Sequence, residues 1–143
     1  MFVPNVNLFY PDDKGNVLVV CRRDNAHLFG LPGGKVDPID IADAQGDADY
    51  VLRIGCSREV LEETGLVVLP HHLVKVFSAE CFVYGTDSKM WPNVTFMARK
   101  ITGMLQPREG EPACSWQPID KLLTQSPFHE YNAAMLRAIG YPR

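Results

Sequence analysis

The sequence predicts an α/β fold with two helices and several strands. Residues 3–10 alternate well enough for a strand, residues 17–22 form an apolar run, and the Pro-Asp-Asp-Lys-Gly-Asn turn between them predicts a hairpin. Residues 74–84 and 91–101 predict a second, longer antiparallel hairpin. Two short strands complete the predicted sheet, at residues 66–69 and 116–119.

The two helices are predicted from apolar periodicity and from residues that begin or end helices. The first runs over residues 50–64 and stops at Gly65, a residue suited to a left-handed C-cap. Asp47 or Asp49 is its candidate N-cap. The second begins at Pro127, and its buried stripe is predicted to be Tyr131, Met135 and Ile139.

Length and charge restrict the kinds of partner this chain suits. Its 143 residues predict one domain, residues 1–143, and the 46% of hydrophobic residues is ordinary for a soluble globular protein. The net charge is −3, and Lys and Arg are not clustered. A nucleic-acid polymer is therefore not expected as a partner, because its binders carry a basic patch. A small nucleotide accompanied by a cation stays compatible with this charge.

The cysteines and the N-terminus indicate a reducing compartment. Cys21, Cys56, Cys81 and Cys114 are far apart and lack the close spacing of metal ligands, so we interpret them as small apolar residues. The first ten residues do not resemble a signal peptide, and no apolar run is long enough to cross a membrane. We therefore expect a cytoplasmic protein without a membrane partner.

Three glutamates share one face of the first predicted helix. Glu59, Glu62 and Glu63 stand at positions i, i+3 and i+4, where like charges repel. Two of them also lie in the last turn, where the helix dipole disfavours negative charge. A solvated acidic face is one interpretation, since Arg58 can pair with Glu62. A divalent cation that relieves the repulsion is the other, because carboxylate oxygens suit Mg²⁺.

Residues 58–66 carry a resemblance to a known family. They read R-E-V-L-E-E-T-G-L and match every specified position in the second half of the Nudix signature, G-x5-E-x7-R-E-U-x-E-E-x-G-U, where U is aliphatic. Residues 31–35 read L-P-G-G-K, as in the segment that commonly opens this motif. The chain thus resembles MutT-like Nudix hydrolases. The resemblance implies an α/β/α sandwich, in which a mixed sheet lies between the two helices. It also implies metal-dependent hydrolysis of a nucleoside diphosphate linked to a further group X.

The middle of the motif departs from the family pattern. Counted from Gly34, the first glutamate of the motif falls on Asp40, a shorter carboxylate. Where the motif then has seven residues before its arginine, this chain has seventeen, residues 41–57. We interpret the difference as a ten-residue insertion, most of it within residues 41–49, and expect that segment to be exposed and mobile.

The resemblance also implies a metal site for Mg²⁺ or Mn²⁺. Its expected ligands are Glu59, Glu62 and Glu63, together with the main-chain carbonyl of Gly33 or Gly34. Arg58 is expected to orient this cluster through Glu62.

The resemblance implies three further candidates for contact with the substrate or for catalysis. Arg23, favoured over Arg22 on that resemblance, is expected to bind phosphate, since guanidinium groups suit phosphate oxygens, although a solvated surface arginine is the plainer interpretation. Asn132 is a candidate for purine contact, because its amide offers both a donor and an acceptor, but a capping or solvated role is the common one. Glu111 is expected to complete the metal site or to act as base, or else to be a solvated loop acid.

The resemblance leaves three functions open. The first is hydrolysis of a nucleoside triphosphate to a monophosphate and pyrophosphate. The second is hydrolysis of ADP-ribose, a nucleotide sugar or a dinucleoside polyphosphate. The third is a nucleotide-binding module that does not hydrolyse its ligand. All three imply a small nucleotide partner, and the chain is expected to act as a monomer or a homodimer.

Overall fold

The computed structural model describes residues 4–23, 25, 27–82 and 90–141. Its helices are α1 (Pro38–Asp43), α2 (Ala48–Thr64) and α3 (His129–Ile139). Its strands are β1 (Asn5–Leu8), β2 (Asn16–Cys21), β3 (Phe29–Gly30), β4 (Gly33–Lys35), β5 (Leu66–Val67), β6 (Leu73–Phe82), β7 (Met90–Ala98), β8 (Thr102–Gly103) and β9 (Cys114–Pro118). The predicted strand ends at residues 3, 83 and 84 lie outside the described residues.

The main sheet is mixed, as predicted. Its four strands lie in the order β4-β1-β7-β6, and β1 runs parallel to β7 while the other two pairs are antiparallel. The long hairpin of β6 and β7 is confirmed, with Leu73 opposite Ala98 at one end and Phe82 opposite Met90 at the other. A second sheet has the order β3-β2-β9, and β5 pairs with β8.

The predicted hairpin of residues 3–10 with 17–22 is wrong in its pairing. β1 pairs with β4 and β7, whereas β2 lies in the second sheet between β3 and β9. Their backbones meet near the turn, where the Leu18 N–H donates to the Tyr10 carbonyl at 3.0 Å and Pro11 forms an isolated bridge with Val17. The reason is that β2 is apolar on both faces: Leu18 packs into one core, and Val17 and Val19 pack into the other.

The two cores explain the layered architecture. In the first, Cys56 and Val60 of α2 pack against β1 and β7. In the second, α3 packs Tyr131, Met135 and Leu136 against β2 and β6. The predicted α/β/α arrangement and the stripe on the last helix are therefore confirmed. None of the described helices is both long enough and apolar enough to span a lipid bilayer.

The ends of α2 follow from local sequence. The helix begins at Ala48, two positions before the predicted start, because the Asp47 carboxylate accepts a hydrogen bond from the Tyr50 N–H at 3.1 Å. Asp49 instead pairs with Arg53 at 2.7 Å. Gly65 ends the helix with φ +80°, as expected for its left-handed C-cap. This fixes the turn of helix that carries the three glutamates.

The segment before α2 is more regular than we expected. Residues 38–43 form α1, and Asp37 and Asp40 make a capping box at its start. Most of residues 41–49 are exposed, as predicted, but Ala44 is buried. The proposed insertion therefore spans the end of a helix, a turn and the start of α2.

Candidate metal and nucleotide site

Strand β4 lies against the acidic face of α2, so the two halves of the sequence motif meet. The Gly33 N–H donates to Glu63 Oε1 at 2.6 Å. A side chain added at Gly34 would place its Cβ 2.9 Å from the Glu59 carboxyl carbon. Gly33 and Gly34 are paired with β1 rather than forming a tight turn. A Cβ at Gly33 would lie 2.0 Å from the Val6 carbonyl oxygen, which leaves room only for glycine there.

These contacts predict different consequences for alanine at the two glycines. We expect Gly34→Ala to fold but to displace Glu59, because a side-chain end moves more easily than backbone, and to lower turnover about tenfold to a hundredfold. Gly33→Ala meets the backbone of β1 and is expected to lower the melting temperature instead. Turnover and thermal unfolding of both variants test this; normal turnover in Gly34→Ala would contradict it.

Two carboxyl groups on the acidic face of α2 have raised pKa values. Burial raises the pKa of Glu63 to about 8, although the hydrogen bond from Gly33 acts in the opposite direction, and Glu59 and Glu111 add to the rise. Burial also raises the pKa of Glu59, with Arg58 lowering it. A bound cation would favour the ionised form of both carboxyls.

Arg58 connects the acidic cluster to Asp40 through ion pairs. Its Nε and Nη2 donate to the two oxygens of Asp40 at 2.9 and 3.0 Å, and its Nη1 lies 3.2 Å from oxygens of both Glu62 and Glu59. The expected contact from Arg58 to Glu62 is therefore present. The hydrogen bonds to Asp40 are the main cause of a raised Arg58 pKa.

Asp40 stands at the position where the count from Gly34 places the first glutamate of the motif. Its side chain is fully buried, and its Oδ2 also accepts from the Asp37 N–H at 2.7 Å. The shorter carboxylate reaches Arg58 because α1 carries it against α2. The count from Gly34 was the signal that pointed to this residue.

The donor chemistry of the site fits a hard divalent cation. Carboxylates of Glu59, Glu62 and Glu63 and backbone carbonyls of β4 are oxygen donors, as Mg²⁺ and Mn²⁺ prefer. Within the described residues, no three acidic, histidine or cysteine side chains stand in a ready-made metal-binding group. The fit therefore rests on the type of donor and on the raised pKa values of Glu59 and Glu63.

A cleft of about 450 Å³ opens beside Glu63. Five of the predicted site residues line it together: Arg23, Gly33, Gly34, Glu63 and Asn132. Glu59, Glu62, Arg58 and Glu111 do not line the cleft. Its volume lies within the range of small-molecule sites, about 300–1,000 Å³.

Arg23 and Glu111 pair with each other at this cleft. Arg23 Nη2 lies 2.9 Å from Glu111 Oε2, and Arg23 Nη1 donates to the Gly110 carbonyl at 3.2 Å. The Arg23 side chain is 66% exposed. Glu111 is near enough to Glu59 and Glu63 to raise the pKa of each. The segments after β2 and before β9 thus bring a cation and a carboxylate to the acidic cluster.

The hydrogen bonds of Asn132 restrict what it can offer. Its side chain is buried, and its Nδ2 donates to the Leu122 carbonyl at 2.9 Å and to Ser126 Oγ at 3.2 Å. The Leu122 carbonyl can only accept, so the amide nitrogen must face it. Both N–H groups are then committed, and Oδ1 is an acceptor for a ligand. The expectation that Asn132 offers donor and acceptor alike is therefore corrected.

Sequence reasoning missed a hydrogen-bonded group on the cleft floor. Thr95 Oγ1 donates to Asn7 Oδ1 at 2.6 Å, and Asn7 Nδ2 donates to Asn93 Oδ1 at 2.9 Å. The Tyr131 hydroxyl lies 2.7 Å from Thr95 Oγ1 and also donates to the Asn93 main-chain carbonyl at 3.4 Å. Asn93 Oδ1 is used by Asn7, and Asn93 Nδ2 is a donor that these described hydrogen bonds do not use. Asparagines within strands were the available signal, because asparagine is depleted there.

Comparisons with known proteins agree with this architecture. The family model described as NUDIX domain matches residues 1–139. A MutT NUDIX hydrolase from Burkholderia pseudomallei superposes with a TM-score of 0.67 at 18% identity, over 96% of this chain and 97% of that one. A MutT protein from Methanosarcina mazei Go1 gives 0.68 at 21% identity, over 96% and 95%.

A third similar solved structure contains a ligand. The NUDIX domain of Shewanella oneidensis NrtR, complexed with ADP ribose, superposes with a TM-score of 0.65 at 19% identity, over 97% of this chain and 86% of that one. No curated protein sequence matches the chain. At these identities the structural likeness shows the fold alone.

Proposed function

The chain belongs to the family of NUDIX domains, and we propose that this Nudix hydrolase converts a nucleoside triphosphate to a monophosphate and pyrophosphate. The observation that carries the proposal is the position of Glu63. This carboxyl lines the 450 Å³ cleft and is bound by Gly33, and Arg23 lines the same cleft. A nucleoside lying in the cleft would therefore extend its phosphates toward the acidic face of α2.

The cleft residues have distinct tasks in this proposal. Asn93 Nδ2 presents a donor to the base, and Asn132 Oδ1 presents an acceptor. Arg23 leaves Glu111 and then pairs with a phosphate. Such a donor and acceptor pair suits a nucleobase edge, including that of a purine. A buried site makes these contacts selective, because an unmatched polar group there is costly.

The metal ligands in the proposal are Glu59, Glu62, Glu63 and a carbonyl of Gly33 or Gly34. When bound, Mg²⁺ or Mn²⁺ neutralises charge on the phosphates and polarises the phosphoryl oxygens. Arg58 keeps Glu62 and Glu59 in place.

The reaction itself is a hydrolysis between the α- and β-phosphates. Water attacks a phosphorus, the bridging P–O bond breaks, and pyrophosphate separates from the monophosphate. Glu111, once freed from Arg23, accepts the proton of the attacking water. No oxidant or second substrate is needed.

A cytoplasmic location remains part of the proposal. Cys21, Cys56 and Cys114 are free thiols, as expected under reducing conditions. We retain a monomer or homodimer as the expected state.

The proposal is tested by product analysis with a panel of nucleotides. Triphosphates, ADP-ribose, nucleotide sugars and dinucleoside polyphosphates are incubated with Mg²⁺, Mn²⁺ or EDTA, and pyrophosphate and orthophosphate are measured. Metal-dependent release of pyrophosphate from one triphosphate is the expected result. Activity confined to ADP-ribose, nucleotide sugars or dinucleotides would replace the substrate. Nucleotide binding without turnover of any compound would favour a binding module.

Asn93→Asp tests the floor of the cleft. The new carboxylate still accepts from Asn7 Nδ2, but it replaces the unused donor by an acceptor. We expect the KM of the best substrate to rise about tenfold to a hundredfold near pH 8, since an unmatched buried polar group costs roughly 1–3 kcal/mol. Steady-state kinetics measure this, and thermal unfolding shows whether the variant is folded. An unchanged KM in folded protein would mean that Asn93 does not meet the base.

A further inference from the structure

A second cavity of about 350 Å³ lies on another side of α2. Its lining residues are Arg58, Leu61, Glu62, Gly65, Gln106 and Arg108. None of them lines the larger cleft. The two spaces therefore meet different sides of the same helix.

The carboxylate cluster stands between these two spaces. Successive residues of an α-helix are turned by about 100° around its axis. Glu63 faces the cleft, while Glu62 lines the second cavity. Glu59 lies between them around the helix, against Gly34. A substrate cleaved at this cluster would have one half on each side of it.

The loop after β8 brings a guanidinium group to the second cavity. The main-chain N–H of Arg108 donates to the main-chain carbonyl of Glu62 at 3.0 Å, and that of Gln106 donates to the main-chain carbonyl of Thr64 at 2.8 Å. These bonds attach the loop to the last turn of α2. The Arg108 side chain reaches Glu62 Oε1 at 3.3 Å and is 68% exposed.

Arg58 and Arg108 differ in how firmly they are held. Arg58 is bound by both oxygens of Asp40. It cannot leave without depriving this buried carboxylate of its cationic partner, which is energetically costly. Arg108 has one long contact at the surface, and such pairs are weak. Arg108 is thus the cation of this cavity that a ligand can recruit.

From this arrangement we propose that the second cavity receives the leaving pyrophosphate and that Arg108 is its phosphate ligand. The inference rests on the proposed function and adds the place where the leaving group binds. If Glu62 held a cation, Arg108 would be released from this ion pair, and its planar guanidinium could pair with phosphate oxygens. A polyanion suits a cavity that offers a guanidinium group free to pair with a ligand, whereas an uncharged sugar would gain no ion pair there.

Binding of each product to separate variants tests the inference. Titration calorimetry in Mg²⁺ measures the Kd of pyrophosphate and of the nucleoside monophosphate for the wild type, Arg108→Ala and Arg23→Ala. Arg137→Ala is the matched control, since this exposed arginine lies on α3, which packs in the other core. We expect Arg108→Ala to weaken pyrophosphate about tenfold or more and to leave the monophosphate unchanged. Arg137→Ala should change neither Kd.

Several outcomes would overturn the inference. One is a pyrophosphate Kd that Arg108→Ala leaves unaltered or that only Arg23→Ala raises. Another is equal weakening of both products with a higher Mg²⁺ requirement, because Arg108 would then only position Glu62. The proposed function fails separately, if the wild type releases no pyrophosphate from any triphosphate. Binding of pyrophosphate through Arg108 would still be measurable in that case.

Discussion

Glu63→Gln is expected to lower turnover by about a thousandfold while the metal-free protein stays folded. The amide keeps the shape of the side chain and can still accept from the Gly33 N–H. It removes the negative charge that a metal ligand needs, and metal-assisted stabilisation of the transition state is worth several kcal/mol. The measurement is kcat with Mg²⁺ on the best nucleotide. Turnover at the wild-type level would remove Glu63 from the metal site.

The same substitution is expected to stabilise the metal-free protein at high pH. The pKa of Glu63 is about 8 in the folded state, against 4.5 as its ordinary value, so the folded state binds the proton more tightly. Stability from this group is therefore present at low pH and declines as the pH rises from about 5 to about 8. The expected loss of unfolding free energy is on the order of 3 kcal/mol. This is less than the full pKa rise implies, because Glu63 is not completely buried.

Urea unfolding in EDTA between pH 5 and pH 9 measures this dependence. Wild-type protein should lose stability over the range, and Glu63→Gln should lose much less. Glu130→Gln is the matched control, because this exposed glutamate lies on α3. If wild type and Glu63→Gln showed the same pH dependence, ionisation of the Glu63 carboxyl would not lower the free energy of unfolding. The argument that a cation binds at Glu63 would then lose this support.

Asp40→Asn is expected to give the largest loss of stability among the variants considered. It removes the charge that both Nε and Nη2 of Arg58 contact, and it weakens the capping box of α1. Breaking one partner of a buried ion pair costs about 3–5 kcal/mol. For a chain of this size, that corresponds to a fall in melting temperature of roughly 10 °C or more.

Activity should fall as well, because a released Arg58 no longer fixes Glu59 and Glu62. Asp43→Asn is the control, since Asp43 is an exposed acid of the same short helix. Thermal unfolding and turnover are compared for both variants. Equal, small effects of the two would show that α1 does not support the acidic cluster.

Local features of the site were predictable because they depend on residues close together in the chain. The positions of Glu59, Glu62 and Glu63 determine one acidic face wherever α2 packs, and Gly65 ends the helix just beyond it. Asp47 was one of two predicted caps for the same reason. The family match over residues 1–139 also confirms the resemblance first inferred from residues 58–66.

Features that depend on distant residues needed the tertiary structure. Asp40 meets Arg58 although eighteen positions separate them, because α1 folds back on α2. The amide direction of Asn132 is decided by the Leu122 carbonyl, which no sequence pattern identifies.

The pairing of β1 and β2 shows the same limit at the level of the fold. A turn between two apolar segments predicts a hairpin, yet β1 joins β7 and β2 joins β9. By itself, the sequence determined the two longer helices, α2 and α3, the acidic face and the family. Only the tertiary structure decided which strands meet and which side chains complete the site. The physical reason is that these contacts depend on the packing of two cores, one on each face of β2.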